Sequence, residues 1–389
     1  MATVEDFNAK PMEDFSNDDH HLLSLLTRKS ERFQEIKKFH DVQNISKTML
    51  ADDDSFMSVV YKVEVTFKNG QRTDYCLKVP TCEKIEKVAE VNFFPILSII
   101  HNKECDFYES SQKIDGLRLP EVFSLKRLTD EDRNAYVLME FLHGRCVPVE
   151  ESLNLEQIKD VAEQVALILN FSLNNPDITA RPENRTFSIA GNDDEHFAKM
   201  NGPIVKYLRK TPEMQELHDL VEKHQRILSQ RDYFEYIVFQ AHLDYGVPNL
   251  LAHGDLWSNN LFFHGNKVEA IIDWQSLNAG NPTQDLVRLL LLNCSPDFRH
   301  KYESTVLKHC YDHLSKLQGK PLEFSFENFE KSAKTYAIYQ IYLGLYILTH
   351  KYSKPERTLQ RKVFVERMAA GLRDSLDWIN QNANLRKFK

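Results

Sequence analysis

The hydrophobic pattern changes period partway along the chain. Near the start, Leu22, Leu23, Leu25, Leu26, Phe33 and Ile36 lie among charged residues over 20–40, the spacing of an amphipathic helix. The period then shortens to two. Val59, Tyr61, Val63, Val65 and Phe67 alternate with mostly polar residues, Asn69-Gly70 follows, and Gln71 to Val79 returns. Asn-Gly between two alternating runs predicts a tight β-hairpin, and Pro80 ends its second strand. Residues 83–110 read as helical through Phe93, Phe94, Ile96, Leu97, Ile99 and Ile100, with Pro95 marking a kink or a boundary between two helices. Two more strands are expected over Glu121–Leu125 and Ala135–Phe141, closed by the break Leu142-His-Gly144.

Beyond Gly144 the helical period takes over. Leu155, Ile158, Val161, Ala162, Val165, Ile168 and Leu169 line one face of a helix ending near Ser172. Residues 203–245 are helical again, 248–274 read as loop and strand, and the pattern from Thr283 onward is helical with breaks near Pro296, Pro321 and Pro355. Strands cluster early and helices late, which predicts an α+β protein in two lobes with a boundary near 142–150. We therefore expect a loose acidic tail over 1–19, a small antiparallel β N-lobe over 20–142 and a large, mainly helical C-lobe over 143–389.

Composition narrows the class. With 42% hydrophobic and 27% charged residues, the 389-residue chain has the make-up of a globular protein. Its formal charge of −8 offers no general surface for nucleic acid or anionic membrane. The six cysteines, at 76, 82, 105, 146, 294 and 310, form no CxxC pair, which argues against a zinc ribbon or a disulfide scaffold and fits a reducing compartment. Met1–Asp19 has no apolar signal region, and the most apolar stretch, Leu286–Cys294, is interrupted by Arg288 and too short for a membrane span. The expected location is cytoplasmic. His20-His21 reads as solvated surface, because adjacent helical side chains point apart.

Chemistry concentrates in His253-Gly-Asp-Leu-Trp-Ser-Asn-Asn260 and in Val268-Glu-Ala-Ile-Ile-Asp-Trp-Gln275. Phosphoryl transfer needs hard oxygen ligands for magnesium and a carboxylate that holds the incoming hydroxyl in line. Asp255, Asn260 and Asp273 supply that set. The segment Leu261–Ile272 reads as strand, Gly-Asn turn and strand, a hairpin that brings Asn260 beside Asp273.

His-Gly-Asp-x-x-x-x-Asn followed by Ile-Ile-Asp-Trp resembles the catalytic and metal loops of the choline kinase and aminoglycoside phosphotransferase superfamily, which has a protein-kinase-like fold. The longer form is most similar to the ecdysteroid-kinase-like branch, also described as checkpoint-kinase-like. Recognisable landmarks run from about Met49 to Leu290, with the catalytic and metal loops within 251–285. The resemblance implies ATP and Mg2+ as cofactors. It implies Asp255 as the catalytic base or hydroxyl-orienting group, and Asn260 and Asp273 as metal ligands. Lys78 would contact the phosphates, and Glu104 would hold Lys78; Glu90 and Glu109 compete for that place. Backbone near Glu140 and Leu142 would bind adenine. Asp285 would brace the catalytic loop, and His253 would order it by hydrogen bonding.

One departure stands out. The segment Leu50–Val60 has no glycine, and Ser55 sits where relatives carry one. Ser55 and Ser58 could instead donate hydrogen bonds to phosphate. This keeps open a second reading, a weak or inactive pseudokinase that acts as a binding module. Only eleven residues separate Asp273 from Asp285, too few for the activation segment of a protein kinase, and the loop begins His-Gly-Asp where protein kinases have His-Arg-Asp. The expected acceptor is therefore a hydroxylated small molecule, with a lipophilic or steroid-like alcohol favoured by the resemblance. Tyr336, Tyr339, Tyr342, Tyr346 and Trp378 could line its pocket, although aromatics at helical spacing more often form core.

Overall fold

The structure is a computed structural model. It describes residues 19–50, 57–83, 92–111, 113–185, 194–211, 214–224, 228, 230–382 and 385. The chain forms two compact units: Met1–Ser110 with Pro120–His143, and Ser111–Leu119 with Gly144–Lys389.

In the first unit, helices α1 (Asp19–Lys29) and α2 (Glu31–Lys37) precede strands β1 (Val42–Leu50), β2 (Ser58–Phe67) and β3 (Arg72–Pro80). Helix α3 (Phe94–Ser111) and strands β4 (Val122–Lys126) and β5 (Tyr136–Glu140) follow. The five strands make an antiparallel sheet in the order β1-β2-β3-β5-β4. The hairpin forms where Asn69-Gly70 predicts it, with Thr66 opposite Arg72 and Gly70 at φ +84°. Alternation then sorts the side chains. Val63, Val65, Phe67, Tyr75 and Leu77 bury on one face against Leu22, Leu25, Leu26 and Phe33 of α1 and α2.

Two expectations need correction here, and a third is narrowed. The single helix over 20–40 is two, because Ser30 leaves the helical conformation and its hydroxyl caps Phe33 N–H at 3.3 Å. Strand β1 was not foreseen. Its sequence, VQNISKTML, is largely polar because it lies at the sheet edge. Pro95 does not kink the helix that contains it, and the expected helical segment before it lies largely outside the described residues. Pro95 stands at the second position of α3, where its missing N–H costs nothing.

The second unit is mainly helical. Its principal helices are α4 (Leu155–Asn174), α5 (Asp194–Lys210), α6 (Gln215–Lys223), α7 (Arg231–Phe239), α8 (Gln284–Asn293), α9 (Pro296–Gln318), α10 (Phe326–His350) and α11 (Thr358–Gln381). Two small antiparallel pairs carry the loops between α7 and α8: β6 (Leu250–Ala252) with β9 (Asn278–Gly280), and β7 (Leu261–His264) with β8 (Lys267–Ile271). Every residue of α8 is buried, as expected of a helix enclosed on all sides. The aromatic residues of α10 are largely core: Tyr336, Tyr339 and Tyr342 are buried, and Tyr342 packs on Phe234 at 4.8 Å. Trp378 donates to Thr335 Oγ1 at 2.9 Å. Among the described residues no helix is long and apolar enough to cross a membrane.

Two buried histidines couple both units to pH. His101 donates from Nε2 to Lys126 O at 2.9 Å, and His242 lies against Asn249 Oδ1 at 2.9 Å. Burial lowers each from 6.5 to about 4. The unfolded chain therefore takes up a proton on each near pH 6.5 while the folded chain does not. Their contribution is whole above pH 6.5 and is lost as pH falls towards 4. At pH 5 this amounts to about 2 kcal/mol per histidine. Urea midpoints should fall between pH 7 and pH 5, and a His101→Gln/His242→Gln variant should show a flatter decline. An equally steep decline in that variant would assign the acid limb to other groups.

Candidate active site

In the first unit, sheet alternation turns Lys78 away from the Leu77 face. Lys78 lies in the middle of the ladder, opposite Val60 on β2 and Val137 on β5. Its ammonium donates to both carboxylate oxygens of Glu104 on α3, at 2.9 and 2.7 Å. Both side chains are nearly enclosed, at 9% and 1% exposure. An isolated charge would be costly there, so each partner requires the other. Of the competing glutamates, Glu109 pairs with Arg127 at 2.6 Å, and Glu90 lies outside the described residues. Ser58 opens β2 opposite Pro80 and is buried, whereas Ser55 lies outside the described residues. Glu140 closes β5. Its N–H donates to Glu121 O at 2.9 Å, and its carboxylate accepts Glu121 N–H at 2.8 Å. Leu142 follows two residues beyond the strand, half-buried.

In the second unit, the loop between β6 and β7 carries Asp255 and Asn260, and the end of β8 leads into Asp273. The β7–β8 hairpin pairs Leu261 with Ile271, and Ile272 N–H donates to Asn260 O at 3.0 Å, so Asn260 and Asp273 flank the same hairpin base. Asp160 of α4 fixes the hairpin from outside, accepting from Val268 N–H at 2.8 Å and from Lys267 at 2.6 Å.

His253 joins the two loops. Its Nδ1 accepts Asp255 N–H at 3.1 Å, which leaves Nε2 as the protonated nitrogen that donates to Ile272 O at 2.8 Å. The ring packs on Trp274 with centroids 4.5 Å apart, and Trp274 is itself anchored to Ile271 O at 3.0 Å. Below the loop, Asp285 accepts the N–H groups of His253 and Gly254 at 2.8 and 2.9 Å. Burial pushes the Asp285 carboxyl above the usual aspartate range, and His253 and the two N–H donors act against that rise. Gly254 has φ +82°, and a Cβ there would stand 2.2 Å from Ser276 O, so the loop requires glycine.

Asn260 turns its amide nitrogen inward, to Asp255 O at 2.8 Å and Asp255 Oδ2 at 3.0 Å. Its Oδ1 is thereby left as the outward atom. Asp273 adopts φ 67°, ψ 59°, the sole non-glycine residue in the left-handed region among those described. Such strain persists where surrounding structure enforces it, and it concentrates at functional positions. Asn260 Oδ1 and the Asp273 carboxylate are hard oxygen donors that fit magnesium. No cluster of three His, Cys, Asp or Glu occurs among the described residues. Magnesium does not need one, because it keeps waters and phosphate oxygens around one or two protein ligands.

Sequence reasoning missed two residues that hold the loop. Arg288, one turn along α8 from Asp285, donates from Nη2 to Asp255 Oδ1 and from Nη1 to Gln340 Oε1, the latter at 3.0 Å. Asn293, at the end of the same helix, takes Ser258 N–H at 3.0 Å and donates to Ser258 Oγ at 2.6 Å. The one signal for Arg288 was a charge inside the apolar run Leu286–Cys294.

Known proteins share this architecture. A Plasmodium vivax ethanolamine kinase superposes with a TM-score of 0.50 at 12% identity, covering 98% of each chain. The chain therefore has a kinase-like fold, with a five-stranded antiparallel sheet in the first unit and a mostly helical remainder. Among curated proteins, "Uncharacterized oxidoreductase dhs-27" of Caenorhabditis elegans is 27% identical over 314 residues, 74% of this chain but 37% of that protein's length. "Uncharacterized kinase-like protein D1044.1" of the same organism is 28% identical over 109 residues, covering 28% of this chain and 29% of that one. The DUF1679 family model, described as "Uncharacterized oxidoreductase dhs-27", matches residues 76–383, so the chain belongs to the DUF1679 family.

Proposed function

We propose that this protein transfers the γ-phosphoryl group of ATP to an alcohol hydroxyl of a small molecule, with Mg2+ as cofactor. The observation that supports this reading is the His253 ring, hydrogen-bonded both to the Asp255 N–H and to the Ile272 carbonyl next to Asp273, with the Asn260 amide bonded to Asp255. Residues 20–142 would form the nucleotide-binding lobe and 143–389 the lobe that carries the chemistry. Lys78, held by Glu104, supplies a cation for the phosphates. Backbone near Glu140 and Leu142 receives adenine, and Ser55 and Ser58 donate to phosphate oxygens. Asn260 Oδ1 and Asp273 would hold the magnesium ion, which when bound neutralises phosphate charge. Asp255 orients the acceptor hydroxyl. The acceptor's hydroxyl oxygen bonds to the γ-phosphorus as the bond from phosphorus to the β–γ bridging oxygen breaks. ADP leaves with that electron pair, and Asp255 takes the hydroxyl proton. A lipophilic alcohol, of which a steroid is one case, is the acceptor class this reading favours. The scattered cysteines, none in a disulfide, favour the cytoplasm.

The oxidoreductase in the longer relative's name describes a protein of which this chain matches 37%. No two glycines here stand two residues apart, so the GxGxxG turn of a dinucleotide fold has no counterpart in this sequence. A second reading, a binding module with little or no turnover, draws on the glycine-free Leu50–Val60 segment and on the engagement of both Asp255 oxygens. Calorimetry of Mg-ATP binding tests the proposal. Wild type should bind, and Asp273→Ala should weaken binding by about tenfold or more through loss of a metal ligand. Absence of Mg-ATP binding by the wild type would reject the kinase reading.

A further inference from the structure

The Asp255 carboxylate carries a neighbour that phosphoryl transfer itself does not require. Arg288 reaches it from a buried position, with 5% of its side chain exposed against 28% for Asp255. The guanidinium is not held by Asp255 alone. Gln340 accepts its Nη1 at 3.0 Å and donates to Tyr336 Oη at 3.4 Å. Tyr336 donates to Gln284 Oε1 at 3.0 Å, and Gln284 donates to Asn278 Oδ1 at 2.9 Å. Through this chain α8 and α10 fix the arginine from behind, so it cannot swing away from the carboxylate without breaking a buried network.

The charge around Asp255 is thereby settled before any acceptor arrives. The Arg288 guanidinium carbon lies 5.9 Å from the Trp257 ring centre, and Lys351 Nζ lies 5.0 Å from the same ring. Two cations thus share one aromatic side chain two residues beyond Asp255. The nearest carboxylate on α8, Asp285, is committed to the His253 and Gly254 N–H groups. The second half of α10, Tyr336–His350, contains no acidic residue.

We propose that Arg288 is the specificity-determining and positioning residue of the acceptor site. It occupies the counter-charge position on Asp255, so the site selects alcohols that are neutral or anionic near the hydroxyl and disfavours alcohols that carry an ammonium group. This rests on the reading of Asp255 as the group that receives the acceptor hydroxyl. An ammonium placed near that hydroxyl meets a carboxylate whose charge Arg288 already matches, and one further cation, Lys351, that repels it. A carboxylate or an uncharged aromatic body in the same place meets Trp257, Arg288 and Lys351 favourably.

The test uses the full chain with Mg2+ and three para-substituted benzyl alcohols that differ chiefly in the charge of the ring substituent: para-hydroxymethyl benzoate, para-hydroxymethyl benzamide and para-hydroxymethyl benzylamine. Transfer is read with radiolabelled ATP. Binding is read separately by calorimetry with a non-hydrolysable ATP analogue. Wild type should favour benzoate and benzamide over the amine by about tenfold or more. Arg288→Gln should bring the amine level with the amide, a change of ratio that a purely structural arginine would not produce. Because Arg288 is buried, Lys351→Gln at a half-buried position provides a second variant, expected to shift the ratio the same way by a smaller factor. Preference for the amine in wild type, an unchanged ratio in both variants, or binding of none of the three probes overturns the inference. Binding in the expected charge order without any transfer supports it while rejecting the kinase reading. Transfer with the amine preferred rejects it and leaves the kinase reading intact.

Discussion

Asp255→Ala should lower phosphoryl transfer by about 10²- to 10⁴-fold, the range for a positioned acid–base group, while leaving Mg-ATP binding close to wild type. The proposed phosphate and metal contacts are Lys78, Asn260 and Asp273; of these the substitution touches Asn260 alone, whose amide loses Asp255 Oδ2 but keeps its bond to Asp255 O at 2.8 Å. The loss should fall on kcat, with KM for ATP little changed, because the contact removed serves the reacting hydroxyl. Alanine also strips Arg288 of its partner, and a buried guanidinium without a counter-charge destabilises the surrounding helices. Asp255→Asn is the better controlled change, since it keeps an oxygen for Arg288 and a side chain of the same size. If Asp255→Asn retains full turnover, Asp255 does not take the acceptor's proton, since asparagine keeps an oxygen that can orient a hydroxyl but is no base.

The second large effect should come from Asp285, which makes no proposed contact with ATP or acceptor. Asp285→Ala should lower folding stability by about 3–5 kcal/mol, the cost of stripping a buried charged network of one member. In a unit of this size that shifts the melting temperature by on the order of 10 °C. The physical reason is local. Two backbone N–H groups, those of the buried His253 and the partly buried Gly254, lose their acceptors at 2.8 and 2.9 Å. Asp285→Asn would not repair this, because its amide nitrogen would face one of the two donors. Thermal melts followed by tryptophan fluorescence should report the change, since Trp274 packs directly on His253. Activity should fall with stability and return in part on cooling. A normal melt with intact activity would mean that the loop keeps its shape without this aspartate.

The sequence alone determined the features that rest on neighbouring residues. The β2–β3 hairpin was legible because a two-residue turn and strand alternation are local properties. The breaks among the later helices were legible because proline cannot continue a helix: α9 begins at Pro296, and Pro355 precedes α11. Asp255, Asn260 and Asp273 stood out for the same reason, as a fixed spacing within one short segment. Strand β1 escaped notice because an edge strand buries too little to impose a strict pattern on its residues. Ser30 looked like one more polar residue in a helix until its hydroxyl was seen to cap the next one.

Tertiary structure alone decided which partners meet across long sequence separations. Lys78 finds Glu104 and not Glu109 because the turn of α3 and the face of β3 select one glutamate, while Arg127 engages the other. Arg288 reads in the sequence as an interruption of an apolar run. It becomes the partner of Asp255, 33 residues earlier, and of Gln340, 52 residues later, because α8 passes between the loop that carries Asp255 and α10. No period or spacing encodes such a meeting. It follows from packing, which brings three separate segments together and pairs their charged and polar groups with one another.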